Sequence, residues 1–137
     1  MAELALSVET RDGSAVVTIR GELDVVANQR FGDCLSEAES RSDRVILDMS
    51  AVDFMDTTAL ATIVGHWRRM QAAGGMFLLA GARYRYTKAL WITGLADRMP
   101  MHDTVDEALA AARSATGADA ANGADARPSG EPETTAG

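Results

Sequence analysis

The chain has 137 residues, with 13 Lys or Arg against 20 Asp or Glu, a formal net charge of −7, and 47% hydrophobic residues. That is enough chain for one domain with a working core, or one domain with a tail, and too many apolar residues for disorder throughout. No apolar run nears the roughly 20 residues that span a bilayer, the single cysteine, Cys34, excludes an internal disulfide, and the acid surplus disfavours nucleic acid, whose phosphates need a basic face.

In chain order, Leu4, Leu6 and Val8 alternate with polar or small residues, as in a half-buried strand. Arg11-Asp12-Gly13-Ser14 reads as a hairpin turn, and Ala15 to Ile19 as a second strand closed by Gly21. Asn28 to Ser40 is amphipathic, with Phe31, Cys34, Leu35 and Ala38 on the inward side. Val45 to Met49 is an unbroken apolar and β-branched stretch around Asp48, the pattern of a strand covered on both faces. Leu60, Ile63, Val64, Trp67 and Met70 form a helical stripe, ended by Gly74-Gly75. Met76 to Ala80 is a further buried strand, Tyr84 to Thr93 a helix stopped by Gly94, and Met99-Pro100-Met101 a short strand. Asp103 can cap a last helix over Thr104 to Arg113.

The order β-β-α-β-α-β-α-β-α predicts an α/β fold, a mostly parallel sheet with an antiparallel hairpin at one edge and crossover helices in the gaps. Residues 1–113 form the expected domain. Residues 114–137 carry Asp119, Asp125, Glu131 and Glu133 against Arg127 and have no Val, Ile, Leu, Met or aromatic residue, so they are expected to be a disordered acidic tail, either passive or a docking element. Met1-Ala2-Glu3-Leu4 lacks the basic and apolar regions of a secretory signal, and the expected location is the cytoplasm.

No catalytic constellation emerges. There is neither a G-x-x-x-x-G-K-[ST] loop nor a G-x-G-x-x-G after a strand. His66 and His102 belong to no zinc pattern; His66 falls off the helical stripe and is expected to face solvent, while His102 beside a helix cap is expected to be structural. Cys34 reads as a buried, inert thiol. Asp53 and Asp56 supply too few ligands for a cation site, so no metal, cofactor or enzymatic activity is expected.

What remains is Asp53-Phe54-Met55-Asp56-Thr57-Thr58-Ala59-Leu60, between a buried strand and the best helix. An N-cap is the plain explanation of such a segment. With Leu60 at zero and about 100° per residue, Thr57 falls at about 60°, leaning to the core, and Thr58 at about 160°, on the side of Thr62, Gly65 and Arg69. Thr58 is therefore expected to present its hydroxyl outward at a helix N-terminus, and Thr57 to be partly covered.

Four segments, in order, resemble the STAS domains of bacterial anti-sigma factor antagonists. They are Gly21-Glu22-Leu23-Asp24; Val45 to Ser50 leading to Phe54-Met55-Asp56-Thr57-Thr58; Gly81-Ala82-Arg83; and Thr93-Gly94-Leu95-Ala96-Asp97-Arg98. Asp106-Glu107-Ala108-Leu109 also agrees, so the resemblance spans about Leu4 to Ala112. It implies a non-enzymatic regulator that binds an anti-sigma factor serine/threonine kinase and so releases a sigma factor, that is switched off by phosphorylation at Thr58, and that a phosphatase restores. The partner surface it implies comprises Asp24, Asp56, Thr57, Thr58 and Thr62. The commoner family pattern D-S-S-G is here Asp56-Thr57-Thr58-Ala59; alanine for glycine favours helix by about 1 kcal/mol and crowds a partner backbone. A phosphorylation-independent STAS subunit of a transport ATPase complex is the alternative that this substitution favours.

Overall fold

A computed structural model describes residues 4–122. The elements are β1 (Ala5–Arg11), β2 (Ser14–Leu23), α1 (Asn28–Arg41), β3 (Arg44–Met55), α2 (Thr57–Ala72), β4 (Met76–Ala80), α3 (Tyr84–Thr93), a 3-10 turn (Leu95–Asp97), β5 (Met101–His102) and α4 (Val105–Asn122). Five strands form one sheet in the order β1-β2-β3-β4-β5. β1 and β2 are antiparallel across the Asp12-Gly13 turn, where both residues have positive φ; the other pairs are parallel. This is the α/β architecture that the alternation of strands and helices predicts.

Strand periodicity divides the core into two layers, because successive side chains point to opposite faces. Val17, Ile19, Val45, Leu47, Phe77 and Leu79 pack against α1, α2 and Leu90 of α3. Val16, Ile46, Leu78 and Ala80 pack with Ala108 and Leu109 of α4 on the other face. The central strands are thus covered on both faces, as their unbroken apolar character requires.

Several boundaries and orientations differ from the sequence expectation. β2 and β3 run on to Leu23 and Met55, past the expected ends at Ile19 and Met49, because their extensions pair with one another. β5 lies at Met101–His102, with Pro100 lending its carbonyl to the Leu79 N–H at 3.0 Å. The cap of α4 is Thr104 in place of Asp103: its hydroxyl accepts the Glu107 N–H at 3.1 Å. α4 continues through residues 114–122, expected to be unstructured; the alanines there favour helix where no apolar side chain asks for it. The rest of the expected tail, 123–137, lies outside the described residues.

The largest correction concerns α2. Its buried side chains are Ala59, Ile63, His66, Trp67 and Met70, while Leu60 and Val64 are only partly covered. The core side is centred near Ile63, about 60° round the helix from Leu60, because α2 leans on α1 as well as on the sheet. His66, expected in solvent, is therefore buried, with Nδ1 against the Glu39 carboxylate of α1 and Arg69 Nη2 3.2 Å from Glu39 Oε1. An imidazole and a carboxylate on facing helices satisfy each other there, which makes their burial tolerable.

Cys34 is half-buried, and burial raises its thiol above the usual range; Glu37 adds to the rise and Arg41 opposes it. The neutral thiol is thereby favoured at neutral pH. Alkylation by iodoacetamide is expected to be slower than for free cysteine at pH 7.5. Its rate should keep climbing with pH beyond the point where free cysteine levels off. Leu47, fully buried, gives a second test: Leu47→Ala should lower unfolding free energy by about 2–5 kcal/mol in urea titration.

Candidate functional site

The site is built where β2 and β3 extend beyond β4. Glu22 pairs with Phe54 and Leu23 with Met55, and the Asp56 N–H donates to the Leu23 carbonyl at 3.1 Å. The register contains irregularities between Thr18 and Arg20 and between Gly21 and Glu22. Gly21, at φ 106°, takes a conformation that an L side chain resists. The ladder thus delivers two acidic positions, Asp24 and Asp56, to neighbouring strand ends at the carboxyl edge of the parallel sheet, where open α/β folds place their sites.

Each carboxylate first serves the backbone. Asp24 Oδ1 accepts the Ala27 N–H at 3.0 Å, folding the turn into α1, whose N-cap, Ala27, has no side-chain acceptor. Asp56 Oδ1 accepts the Ala59 N–H at 3.1 Å and caps α2. The plain explanation of Asp56 therefore holds, and its carboxylate is engaged in that cap. Asp53 is exposed, and its carbonyl accepts the Tyr86 hydroxyl of α3. Among the described residues, no three His, Cys, Asp or Glu side chains converge on a possible metal position.

Thr58 and Thr62 stand on the side of α2 that faces the start of α1. Thr62 Oγ1 lies 2.8 Å from Asn28 Oδ1 and 3.1 Å from the Thr58 carbonyl oxygen. This pairing joins the Asp24 turn to the first turn of α2, so Asp24, Asp56, Thr58 and Thr62 occupy one corner of the molecule. The exposures of the two threonines reverse the expectation: Thr57 is exposed and Thr58 half-buried. The cause is the same rotation of α2 towards α1, which partly covers Thr58 and turns Thr57 away. Thr57 instead lines an apolar groove between α2 and α3, with Leu60, Ala61, Val64 and Ala89.

Three residues at this corner were not singled out from sequence. Val25 and Val26 follow Asp24, Phe54 precedes Asp56 by two, and all three are exposed, Val26 at 85% and Phe54 at 45%. Their side chains add apolar area to a corner that otherwise presents Asp24, Asp56 and the threonines. The available signal was the β-branched pair Val25-Val26 in a short turn, with no periodicity to bury it.

The chain matches the STAS domain over residues 5–108. It is 26% identical over 108 residues to the anti-sigma F factor antagonist of Paenibacillus polymyxa, covering 77% of this chain and 92% of the relative. Among solved structures, an anti-sigma factor antagonist from Mycobacterium paratuberculosis aligns with a TM-score of 0.72 and 25% identity, covering 81% and 95% of the two chains. The Bacillus cell fate determinant SpoIIAA in its phosphorylated form aligns at 0.64 and 25%, covering 77% and 96%. The chain belongs to the STAS domain family.

The cap predicts a separation of effects. Asp56→Ala removes the acceptor for Ala59 and should cost about 1 kcal/mol of stability. Val26→Ser, at a side chain mostly in solvent, should stay within about 0.5 kcal/mol by chemical denaturation.

Proposed function

We propose that this protein is an anti-sigma factor antagonist that works by partner switching, as a binding module in the cytoplasm with no reaction of its own. In this reading the unmodified form binds an anti-sigma factor that is also a serine/threonine kinase, and the sigma factor is released. The kinase transfers a phosphoryl group to Thr58, which ends the association, and a phosphatase removes it. The observation that carries the reading is the corner itself: a threonine in the first turn of a helix, beside two acidic strand ends and three exposed apolar side chains, in a domain whose relatives are named as antagonists. The contact surface is Asp24, Asp56, Thr57, Thr58 and Thr62, to which Val25, Val26 and Phe54 add apolar area.

The physics of the switch follows from charge. A phosphate brings about −1.5 to −2 charges at neutral pH. The positive end of a helix tolerates them, and among the described residues the N–H groups of Thr57 and Thr58 have no protein acceptor. The scaffold therefore stays folded when modified. For a partner docked on Asp24, Asp56 and Phe54, the added charge and bulk are repulsive. Half-burial of Thr58 means that the kinase must draw the side chain outward or open the Thr62–Asn28 pairing beside it.

Incubation with a co-encoded anti-sigma factor kinase and ATP, followed by mass spectrometry, tests the reading. One phosphate is expected on the wild type and on Thr57→Ala, and none on Thr58→Ala. Thr58→Glu should weaken binding of the kinase by about tenfold or more, with the melting temperature shifted by only a degree or two, as expected for a surface charge within about 0.5 kcal/mol. Phosphate on Thr57 alone would move the acceptor by one residue. Unimpaired binding by Thr58→Glu, with no phosphate on either threonine, would favour the phosphorylation-independent transport subunit.

A further inference from the structure

The outer face of α3 is a second unusual surface. Of its ten residues only Thr87 and Leu90 are buried, while Tyr84, Trp91 and Ile92 are exposed, Trp91 at 51% and Ile92 at 75%. Large apolar side chains with this exposure, on one short helix, do not serve the core. At about 100° per residue, Tyr84, Lys88, Trp91 and Ile92 fall within one face, with Arg85 at its margin. A cavity of about 460 Å³ opens beside this face, bordered by Tyr84, Trp91, Arg98 and His102, with Asp97 and Asp103 on its rim. Arg98 also lies over the Trp67 ring, 5.9 Å from its centroid, and so is held at the cavity edge.

Charge is segregated in the same direction. Between Thr57 and His102 the chain has six cations (Arg68, Arg69, Arg83, Arg85, Lys88 and Arg98) and one acid, Asp97, a net +5; the remaining residues then carry −12 of the overall −7. Glu39 neutralises Arg69. The other five cations surround α3 or its groove with α2. Tryptophan, tyrosine and arginine together are the residues that dominate protein interfaces.

We propose that the outer face of α3, with the cavity beside it, is a docking surface for a short acidic segment of a partner protein that carries an apolar anchor. The acids would pair with Arg83, Arg85 and Lys88, and the anchor would enter between Tyr84 and Trp91. The charge distribution favours a short segment over an extended anionic surface. A membrane or a duplex presents a plane or rod of charge to the whole molecule, so the net −8 of residues 4–56 and 103–114 opposes contact within a Debye length of about 8 Å. A short segment meets only the basic face. The outer face of α3 meets the Thr58 corner through the Tyr86 hydroxyl bound to the Asp53 carbonyl and through the α2–α3 groove that Thr57 lines, but the proposal does not depend on that corner being a switch.

Selection of random displayed peptides of a dozen residues on the full chain tests this. The expected winners place Asp or Glu around a Leu, Phe or Trp. Their affinity, measured by fluorescence anisotropy, should fall at least tenfold in Trp91→Ala and in Lys88→Glu, both with unchanged thermal unfolding, and stay within twofold in Thr58→Glu. Failure to enrich peptides, winners without acidic bias, or indifference to both α3 variants would overturn the proposal. So would loss of binding in Thr58→Glu, which would assign the peptides to the other corner. Tighter binding to phosphatidylserine vesicles or duplex DNA than to the winners would overturn it as well.

Discussion

The parallel pairing of β2 with β3 beyond the end of β4 is the constraint on which the candidate site depends. Among the described residues no other strand pairs with Gly21–Leu23 or Val52–Met55, and the Asp56 N–H closes the ladder on the Leu23 carbonyl. Without that extension the Asp24 turn and the cap of α2 would have no fixed relation. The irregular register at Gly21, held by a positive φ, sets where the two strand ends finish. A helix cap and a turn, each ordinary alone, thereby become one surface.

A second contact holds that surface from the helical side. His66 of α2 meets Glu39 in the last turn of α1, and Thr62 of α2 meets Asn28 at the start of α1. The same contacts turn α2 far enough to half-cover Thr58 and leave Thr57 outward. Position along the sequence and accessibility at the surface are therefore separate properties of these two hydroxyls, and the helix–helix contact decides the second.

The elements were legible because their signals are local. The alternation of Leu4, Leu6 and Val8, the apolar run at Val45–Met49 and the glycines after α2 and α3 each act through neighbours in the chain. The orientation of α2 was not legible, because it depends on α1: Leu60 and Val64 satisfy a helical stripe as well as Ile63 does, and nothing in the order of residues says that a histidine will find a carboxylate across the gap. The strand extensions were hidden for a related reason. Ser50 and Asp53 break the apolar pattern, since the face they occupy is in solvent there, beyond the last residue of β4. Gly81 marks the place where β4 leaves off: at φ 68° it passes so close to Ser50 that an added Cβ would lie 2.9 Å from the serine's.

Among the described residues α4 is the only helix packed on its side of the sheet, covering Val16, Ile46, Leu78 and Ala80. It is also the last of the described elements to be synthesised. During translation the other layer can assemble as each crossover helix follows its strand, while this face stays wet until α4 emerges. The sheet is then a half-finished structure with an oily back for as long as the ribosome holds α4. A chaperone that shields apolar strands would have its longest opportunity on that side.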